Sequence, residues 1–429
     1  MGAGNKKTAH RRGGAQTTTR RETRLVHGNH PSRGGPRGEP TLPPLELSTA
    51  FVHDSAETME AVFTGRQAGV YYSRMQNPTV AALEGRVTDL CGAAGTLAMA
   101  SGMSAITCLL LSLLKTGDEL IAGPHLFGGS YGLFTRTLGD LGIRVRFADP
   151  QDVAAVAALV NDRTRAVFVE AIANPQMTVP DFAALRGLCQ AEGLPLLVDA
   201  TLLTPLYFNA EALGADVAVF SATKYLSGAA STTGGVVVDS GRFDWAGSAR
   251  HGFGEMKGTA EGALMTKLRN QIMAVAGPSL SPLHAFLMLT GMESLALRME
   301  RMEANTQALA EFLAAQPAVS AVRYPGLPGH AAHGRCRALC GTNGTLLTFH
   351  LADKAACFAL LNALRLVRRS TNLGDTRTLA IHPASTIYGT LWPHEQVEVG
   401  VDATMIRLSV GIEHIDDLRE DLGQALAGL

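Results

Sequence analysis

The chain has 429 residues, which is too many for one simple hydrophobic core, so two domains plus extensions are expected. Its apolar content of 46% is ordinary for a globular protein, and its net charge at pH 7 is −1. The longest apolar run, Ile106–Leu114, is too short to cross a bilayer, which excludes a membrane-spanning protein.

Charge is unevenly distributed at the N-terminus. The first 38 residues carry nine Lys or Arg and one acid, Glu22. Residues 1–22 lack periodicity and are predicted to be a disordered basic tail. No aromatic residue interleaves with the basic ones, which argues against nucleic-acid binding. The tail has no apolar segment of the kind a secretory signal needs, and its faint likeness to a transit peptide is the weaker alternative.

Thr23–Phe51 is rich in Pro and Gly and has few apolar residues. Such a segment cannot build its own core, so we expect an arm lying along another surface, plausibly a neighbouring subunit. The six cysteines are scattered without a zinc-site spacing, so no metal is predicted. Isolated cysteines in apolar patterns fit a reducing, cytoplasmic setting.

The next stretch, YYSRMQNPT, predicts a helix start at Asn77-Pro78 because a cap residue precedes a first-turn proline. Tyr72 and Arg74 precede it in a predicted extended segment, where side chains two apart share a face. A phenol and a guanidinium on one face could bind a phosphate. Plain surface exposure is the alternative for both residues.

TLAMASGMSA, residues 96–105, predicts a strand, a glycine turn and a helix start. The N–H groups of a helix N-terminus form an anion site, so Ser101, Gly102 and Met103 are candidates for holding a phosphate. A packing turn is the alternative. Further on, Phe127 could stack on a flat cofactor ring or belong to the core.

Short apolar runs alternate with helical patterns up to residue 238, which favours an α/β fold with a mostly parallel sheet. Asn174 follows one of these runs, at the strand end where α/β sheets bind ligands. The predicted strands are Glu119–Ala122, Ile143–Ala148, Ala166–Glu170 and Gly235–Val238.

Two stretches place an ionisable side chain at or just after the end of a predicted buried strand, which indicates a catalytic or cofactor-binding site. LPLLVDAT ends a buried strand in Asp199, and VAVFSATKYLSG follows a buried strand with Lys224 beside Ser221 and Thr223. A buried lysine has a lowered pKa and is nucleophilic, as a Schiff-base lysine must be. An aspartate can keep a pyridine nitrogen protonated, so the pair indicates pyridoxal phosphate (PLP). A capping role for Asp199 and a solvent-facing Lys224 are the alternatives.

The C-terminal part begins with a long helical pattern around residues 285–312, and a domain boundary is placed near residue 290. Asn372 lies in a polar turn segment, NLGDTRTLAIHP. Arg407, at a predicted strand start, suits a substrate carboxylate, with a surface ion pair as the alternative.

Seven segments in this order resemble the Cys/Met-metabolism family of PLP-dependent enzymes. They are YSRMQNPT, ASGMSA, EAIANP, VDAT, SATKYLSG, the NLGD…HPAS stretch and RLSVGIEH. The resemblance implies PLP-dependent transferase fold type I, with a large mostly parallel sheet domain and a smaller C-terminal α/β domain. The expected division is a tail (1–22), an arm (23–70), a large PLP-binding domain (71–290) and a small domain (291–429).

By this resemblance Lys224 is the lysine that binds the cofactor, and Tyr72 is a second catalytic residue. Asn372 and Arg407 are substrate contacts. Tyr72 and Arg74 match residues that the adjacent subunit lends to the phosphate, which implies a homodimer and commonly a tetramer. The expected cofactor contacts are Tyr72, Arg74, Ser101, Gly102, Met103, Phe127, Asn174, Asp199, Thr201, Ser221, Thr223 and Lys224.

The resemblance is strongest to O-acetylhomoserine sulfhydrylases, which implies γ-replacement on an O-acylated homoserine with sulfide or a thiol. The alternatives are γ-elimination, as in methionine or cystathionine γ-lyases, and an inactive PLP-binding scaffold. The sequence departs from the family pattern at several pocket positions. Phe127 replaces Tyr, Ala200 replaces Asn, Gly228-Ala229-Ala230 replaces Gly-His, Asn372 replaces Ser, and Tyr388 replaces His.

Overall fold

The structure is a computed structural model that describes residues 19–28, 40–253 and 262–429. Most of the predicted basic tail therefore lies outside the described residues, and its last two positions open a helix, α1 (Arg21–His27). Two sheets organise the described part of the chain, one of seven strands and one of five. The α/β prediction is confirmed.

The larger sheet has the strand order β1-β7-β6-β5-β4-β2-β3. Only β7 runs antiparallel to its neighbours, β1 and β6, so the sheet is mostly parallel, as predicted. Apart from the edge strand, Arg144–Phe147, its strands are largely buried on both faces and rich in apolar residues, which is typical of parallel sheets covered by helices. They are β1 (Gly95–Met99), β2 (Glu119–Ala122), β3 (Arg144–Phe147), β4 (Thr164–Glu170), β5 (Leu196–Asp199), β6 (Val217–Phe220) and β7 (Gly235–Asp239).

Two helices of this part begin where the sequence predicts. The Asn77 side chain accepts hydrogen bonds from the N–H groups of Thr79 and Val80 at the start of α3. Ser101 caps α4 through a capping box with Ser104. The helices here are α2 (Ala56–Phe63), α3 (Pro78–Cys91), α4 (Gly102–Leu113), α5 (Gly128–Gly132), α6 (Leu138–Asp140), α7 (Val153–Ala158), α8 (Phe182–Glu192), α9 (Thr204–Tyr207), α10 (Ala210–Leu213), α11 (Ala263–Lys267) and α12 (Ala274–Ala276), with π-helical segments at Leu133–Thr137 and Leu268–Met273.

The smaller sheet has the order β10-β11-β12-β9-β8, and β12 pairs antiparallel with both β11 and β9. β12 starts at Met405, so Arg407 lies at its centre and not at a strand start. The strands are β8 (Ala321–Arg323), β9 (Leu346–His350), β10 (Arg368–Arg369), β11 (Leu379–Ile381) and β12 (Met405–Ser409).

The long helical pattern around residues 285–312 folds as two helices that meet at Ser294, α13 (Pro282–Glu293) and α14 (Leu295–Ala314). The predicted boundary near residue 290 falls inside α13 and stays a prediction. The last helix buries Leu418, Leu422 and Leu426 on one stripe, and Ile415 at its start is half-buried. The remaining helices are α15 (Arg335–Cys340), α16 (Lys354–Ala363), α17 (Pro393–Glu398) and α18 (Ile415–Leu426), with a 3-10 turn at Pro383–Ser385. Among the described residues, no helix combines the length and apolarity needed to cross a bilayer.

The carboxyl ends of β4, β5 and β6 lie side by side. In the register of the sheet, Glu170 at the end of β4 is opposite Asp199 at the end of β5, and Asp199 is opposite Val219 of β6. Because residues opposite one another in a sheet point to the same face, this edge brings several polar side chains together.

Candidate active site

A cavity of about 240 Å³ lies at this edge of the larger sheet and is closed by residues of the smaller-sheet part. Eleven of the residues proposed from sequence line it. Glu170, Ser130 and Thr371 also line it and were not predicted. The predicted residues in the lining are Ser101, Gly102, Met103, Phe127, Asn174, Asp199, Thr201, Ser221, Thr223, Lys224 and Arg407.

Lys224 lies in the turn that follows β6, where its N–H donates to the carbonyl of Ser221. Its Nζ donates to Oδ1 of Asn372, at 2.9 Å. Burial, followed by the positive charge of Arg407, lowers the pKa of Lys224 to about 8, against the opposing effect of Asp199. The solvent-facing alternative is wrong, since this amine is enclosed and partly deprotonated near neutral pH.

Asp199 is held by the turn that follows β5. Its Oδ1 accepts from the N–H of Thr201 at 3.0 Å and from the Thr201 hydroxyl at 2.6 Å. The same hydroxyl oxygen accepts from the N–H of Ser221 at 2.9 Å, which ties the ends of β5 and β6 together. Burial raises the pKa of Asp199, so the carboxylate is poised for a cationic partner inside the cavity.

The start of α4 packs closely on the turn after β6. A Cβ added at Gly102 would lie 2.8 Å from Cβ of Ser221, so only glycine permits this approach. The hydroxyl of Thr223 bonds to the carbonyl of Gly234 at 3.1 Å and holds the other side of the turn. A helix N-terminus and three hydroxyl residues, Ser101, Ser221 and Thr223, therefore converge on one end of the cavity.

Arg407 is 1% exposed, so the surface ion pair considered for it is wrong. One guanidinium nitrogen donates to Oδ1 of Asn174 at 3.2 Å, and the other donates to the carbonyls of Thr371 and Asn372 at 3.0 and 2.9 Å. Among the described residues, its Nε has no hydrogen-bond partner. Burial lowers the pKa of Arg407 to about 10, so it remains a cation at neutral pH.

Glu170 was missed from sequence, although the run that it ends, AVFVE, has the same form as the run ending in Asp199. Its carboxylate accepts the N–H of Phe127 at 2.6 Å and the N–H of Asn174 at 3.0 Å. Burial and the adjacent Asp199 raise the pKa of Glu170 well above its usual range.

Tyr72 and Arg74 do not line this cavity within the chain. Tyr72 is extended as expected, since it pairs with Ala50 in an isolated antiparallel bridge, but Arg74 lies in the turn that the N–H groups of Met75 and Gln76 close on the Tyr72 carbonyl. The guanidinium still lies 5.5 Å from the centroid of the Tyr72 ring, so the two side chains remain together.

Comparison with known proteins identifies the family. Residues 22–427 match the model of the Cys/Met metabolism PLP-dependent enzymes. The chain belongs to this family. It is therefore a PLP-dependent enzyme of sulfur amino-acid metabolism, as the resemblance implied.

Several characterised members of this family are similar over most of the chain. The O-acetyl-L-homoserine sulfhydrylase 1 of Thermus thermophilus is 39% identical over 90% of this chain and 94% of its own length. The L-methionine gamma-lyase of Pseudomonas putida is 37% identical over 94% of this chain and 96% of its own. A Campylobacter jejuni structure, assigned as an O-acetylhomoserine (thiol)-lyase, has a TM-score of 0.88 at 28% identity and covers 95% of this chain and 100% of that one. It contains a pyridoxyl-lysine phosphate.

The residues of this cavity fit the family's cofactor. An amine with a lowered pKa, a carboxylate poised for a cation and a convergent set of hydroxyls match its aldehyde, ring nitrogen and phosphate. The glycine-only contact between Gly102 and Ser221 shapes the end that would take the phosphate.

Proposed function

We propose that this enzyme catalyses γ-replacement, in which sulfide or a thiol displaces the acyl group of an O-acylated homoserine. The observation that carries the α-amino-acid substrate is the position of Asn372 between two charged groups, and the preference for replacement comes from the similar sulfhydrylases. The Asn372 side-chain oxygen accepts from Lys224 Nζ, and its carbonyl accepts from Arg407. An amine and a carboxylate-binding guanidinium therefore face one cavity, as an α-amino acid substrate requires.

Each part of the cofactor has a residue suited to hold it. PLP supplies an aldehyde that binds amines and a ring that withdraws electrons from the α-carbon. Lys224 would bind the aldehyde, Asp199 the ring nitrogen and Asn174 the ring hydroxyl, while Phe127 would cover a ring face. The phosphate would be held by Ser101, Gly102, Met103, Ser221 and Thr223, with Thr201 fixing Asp199.

Lys224 is the group that would move protons. Displaced by the substrate amine, its Nζ would take the α-proton, pass that proton to the cofactor and, neutral again, take the β-proton. A pKa of about 8 leaves a useful fraction of this amine neutral at physiological pH. Asn372 Oδ1 gives the freed amine a hydrogen-bond acceptor inside the cavity.

The substrate class is supported by the relatives. Besides the Thermus protein, an O-acetyl-L-homoserine sulfhydrylase of Leptospira meyeri is 36% identical over 92% of this chain. The rival, γ-elimination, is supported by the Pseudomonas methionine gamma-lyase. Both reactions use an α-amino acid with a γ-leaving group and would use the same residues.

We also propose that the enzyme is a homo-oligomer whose sites are completed by Tyr72 and Arg74 of an adjacent subunit. The arm that precedes them in the chain exposes apolar side chains, among them Leu47 at 65% and Val52 at 99%. A molar mass of a single 45.2 kDa chain in light scattering would contradict this.

All six cysteines are free, in keeping with the proposed cytoplasmic location, which cell fractionation tests.

A substrate screen tests the proposed function. The PLP-loaded protein is assayed with O-acetyl- and O-succinylhomoserine plus sulfide, and with methionine or cystathionine alone. Homocysteine formed only from the esters is expected. An α-keto acid and ammonia from methionine or cystathionine would instead establish γ-elimination. A loaded protein that turns over none of these substrates would support the scaffold alternative.

Arg407→Ala is expected to raise KM for the amino-acid substrate at least tenfold, because charge-assisted bonds to a carboxylate contribute about 1.5–3 kcal/mol. The measurement is the dependence of initial rate on ester concentration. Arg165→Ala, which removes a guanidinium paired with Asp118 outside the cavity, is the control. An unchanged KM would show that Arg407 does not bind the substrate.

A further inference from the structure

The two residues proposed to contact the cofactor ring, Phe127 and Asn174, are on separate loops that follow β2 and β4. Their backbone N–H groups converge on one carboxylate, Glu170, at 2.6 and 3.0 Å. Glu170 is 7% exposed, so water competes little for these bonds. The Glu170 side chain thus holds both loops by their backbone N–H groups.

Backbone carbonyl groups of the same two loops are bound by a residue from the C-terminal, smaller-sheet part of the chain. Tyr388 is 0% exposed and follows the 3-10 turn beside the smaller sheet. Its hydroxyl oxygen lies 2.6 Å from the carbonyl oxygen of Leu126 and 2.9 Å from that of Asn174, so the two carbonyls share its one hydroxyl proton in a bifurcated hydrogen bond. Leu126 and Phe127 share one peptide group, so that peptide is bound at its oxygen by Tyr388 and at its nitrogen by Glu170.

Asn174 is bound in the same way, with its N–H on Glu170 and its carbonyl on Tyr388. Its side-chain oxygen also accepts from Arg407 at 3.2 Å. Burial, followed by the charge of Glu170, raises the pKa of Tyr388, so the hydroxyl keeps its proton and remains a donor.

We propose that Glu170 and Tyr388 form a clamp of positioning residues that sets Phe127 and Asn174 against the cofactor. The proposal rests on the cofactor placement proposed above, but not on the choice of substrate. Neither side chain needs to touch the reacting atoms, because each acts through the backbone of the two contact residues. The Glu170–Tyr388 clamp also makes the position of the ring contacts depend on the docking of the residue 383–391 loop.

Tyr388→Phe removes one hydroxyl and leaves the ring volume unchanged. We expect the dissociation constant of PLP, measured by its release from the loaded protein on serial dilution, to rise about five- to tenfold. We also expect kcat to fall by about the same factor with KM within twofold. Tyr324→Phe is the matched control, because Tyr324 is also 0% exposed and its hydroxyl donates to a carbonyl, that of Gly344, at 3.1 Å.

A double-mutant cycle tests whether the two residues act as one unit. Glu170→Gln keeps an acceptor for one N–H and removes the other, and Asp421→Asn is its control, a buried carboxylate that accepts three backbone N–H groups elsewhere. The double variant is expected to raise the PLP dissociation constant by less than the product of the two single effects. A multiplicative result, or wild-type PLP affinity and kcat in Tyr388→Phe, would overturn the clamp. The PLP dissociation constant is measured without substrate. The clamp can therefore be tested even if the substrate screen contradicts the proposed reaction.

Discussion

Replacing Lys224 with alanine is expected to remove the lysine–cofactor absorption band and to lower kcat by at least about 10³-fold. The enclosed amine is proposed both to bind the aldehyde and to move the α- and β-protons, so one substitution removes two roles. The measurements are the visible spectrum of the protein after PLP is added and the initial rate with ester and sulfide. Borohydride reduction followed by peptide mass analysis should place pyridoxyl phosphate on Lys224 in the parent chain and on no residue of the variant.

Lys267→Ala is the control for removing a partly buried lysine. Burial also lowers the pKa of Lys267, but it lies 4.1 Å from the centroid of the Phe253 ring and outside the cavity. The Lys267→Ala variant should keep the lysine–cofactor absorption band and the initial rate of the parent chain. Full turnover in Lys224→Ala, or a label on another lysine in the parent chain, would refute the assignment.

Asp199→Asn is expected to lower kcat by about 10²- to 10³-fold, the usual effect of removing one preorganised electrostatic contact. The turn should survive, since the amide oxygen can still accept from the N–H and hydroxyl of Thr201. What is lost is the negative charge that would hold the ring nitrogen protonated, and with it the electron-withdrawing power of the ring.

The expected pattern for Asp199→Asn is a large fall in kcat with a small change in KM, because the charge acts on the reaction more than on substrate binding. Asp421→Asn again serves as the control for a buried carboxylate far from the cavity. Wild-type kcat in Asp199→Asn would show that another group holds the ring nitrogen.

Local patterns in the sequence were sufficient to find most of the cavity. Asp199 ends the buried strand β5 and Lys224 lies in the turn after the buried strand β6, and parallel neighbouring strands bring such ends together. The sequence also predicts the helix start at Ser101, because a capping residue and the glycine that follows it are local features. Glu170, like Asp199, is an acid at the end of an apolar run, so the sequence pattern alone is sufficient to indicate it as a site residue.

Other features had no local signal. Tyr388 reaches the carbonyls of Leu126 and Asn174 across sequence separations of 262 and 214 residues. No periodicity encodes such a contact, because it depends on how the loop after β11 docks on the larger-sheet part. The pattern predicts an extended segment for Tyr72 and Arg74, and only Tyr72 is in one, because hydrogen bonds to the Tyr72 carbonyl place Arg74 in a turn.

The sequence by itself determined the family, the mostly parallel α/β fold, and the amine and acid that line one cavity near the ends of neighbouring strands. Those features depend on short-range patterns, namely apolar strands, helix caps and the residue that follows each strand. Only the tertiary structure decided that Arg407 is a buried cation bound to Asn174 and that Glu170 and Tyr388 hold the two ring-contact loops from opposite sides. Burial and long-range packing set those properties, because the pKa and the hydrogen-bond partners of a side chain depend on neighbours that lie far away in the chain.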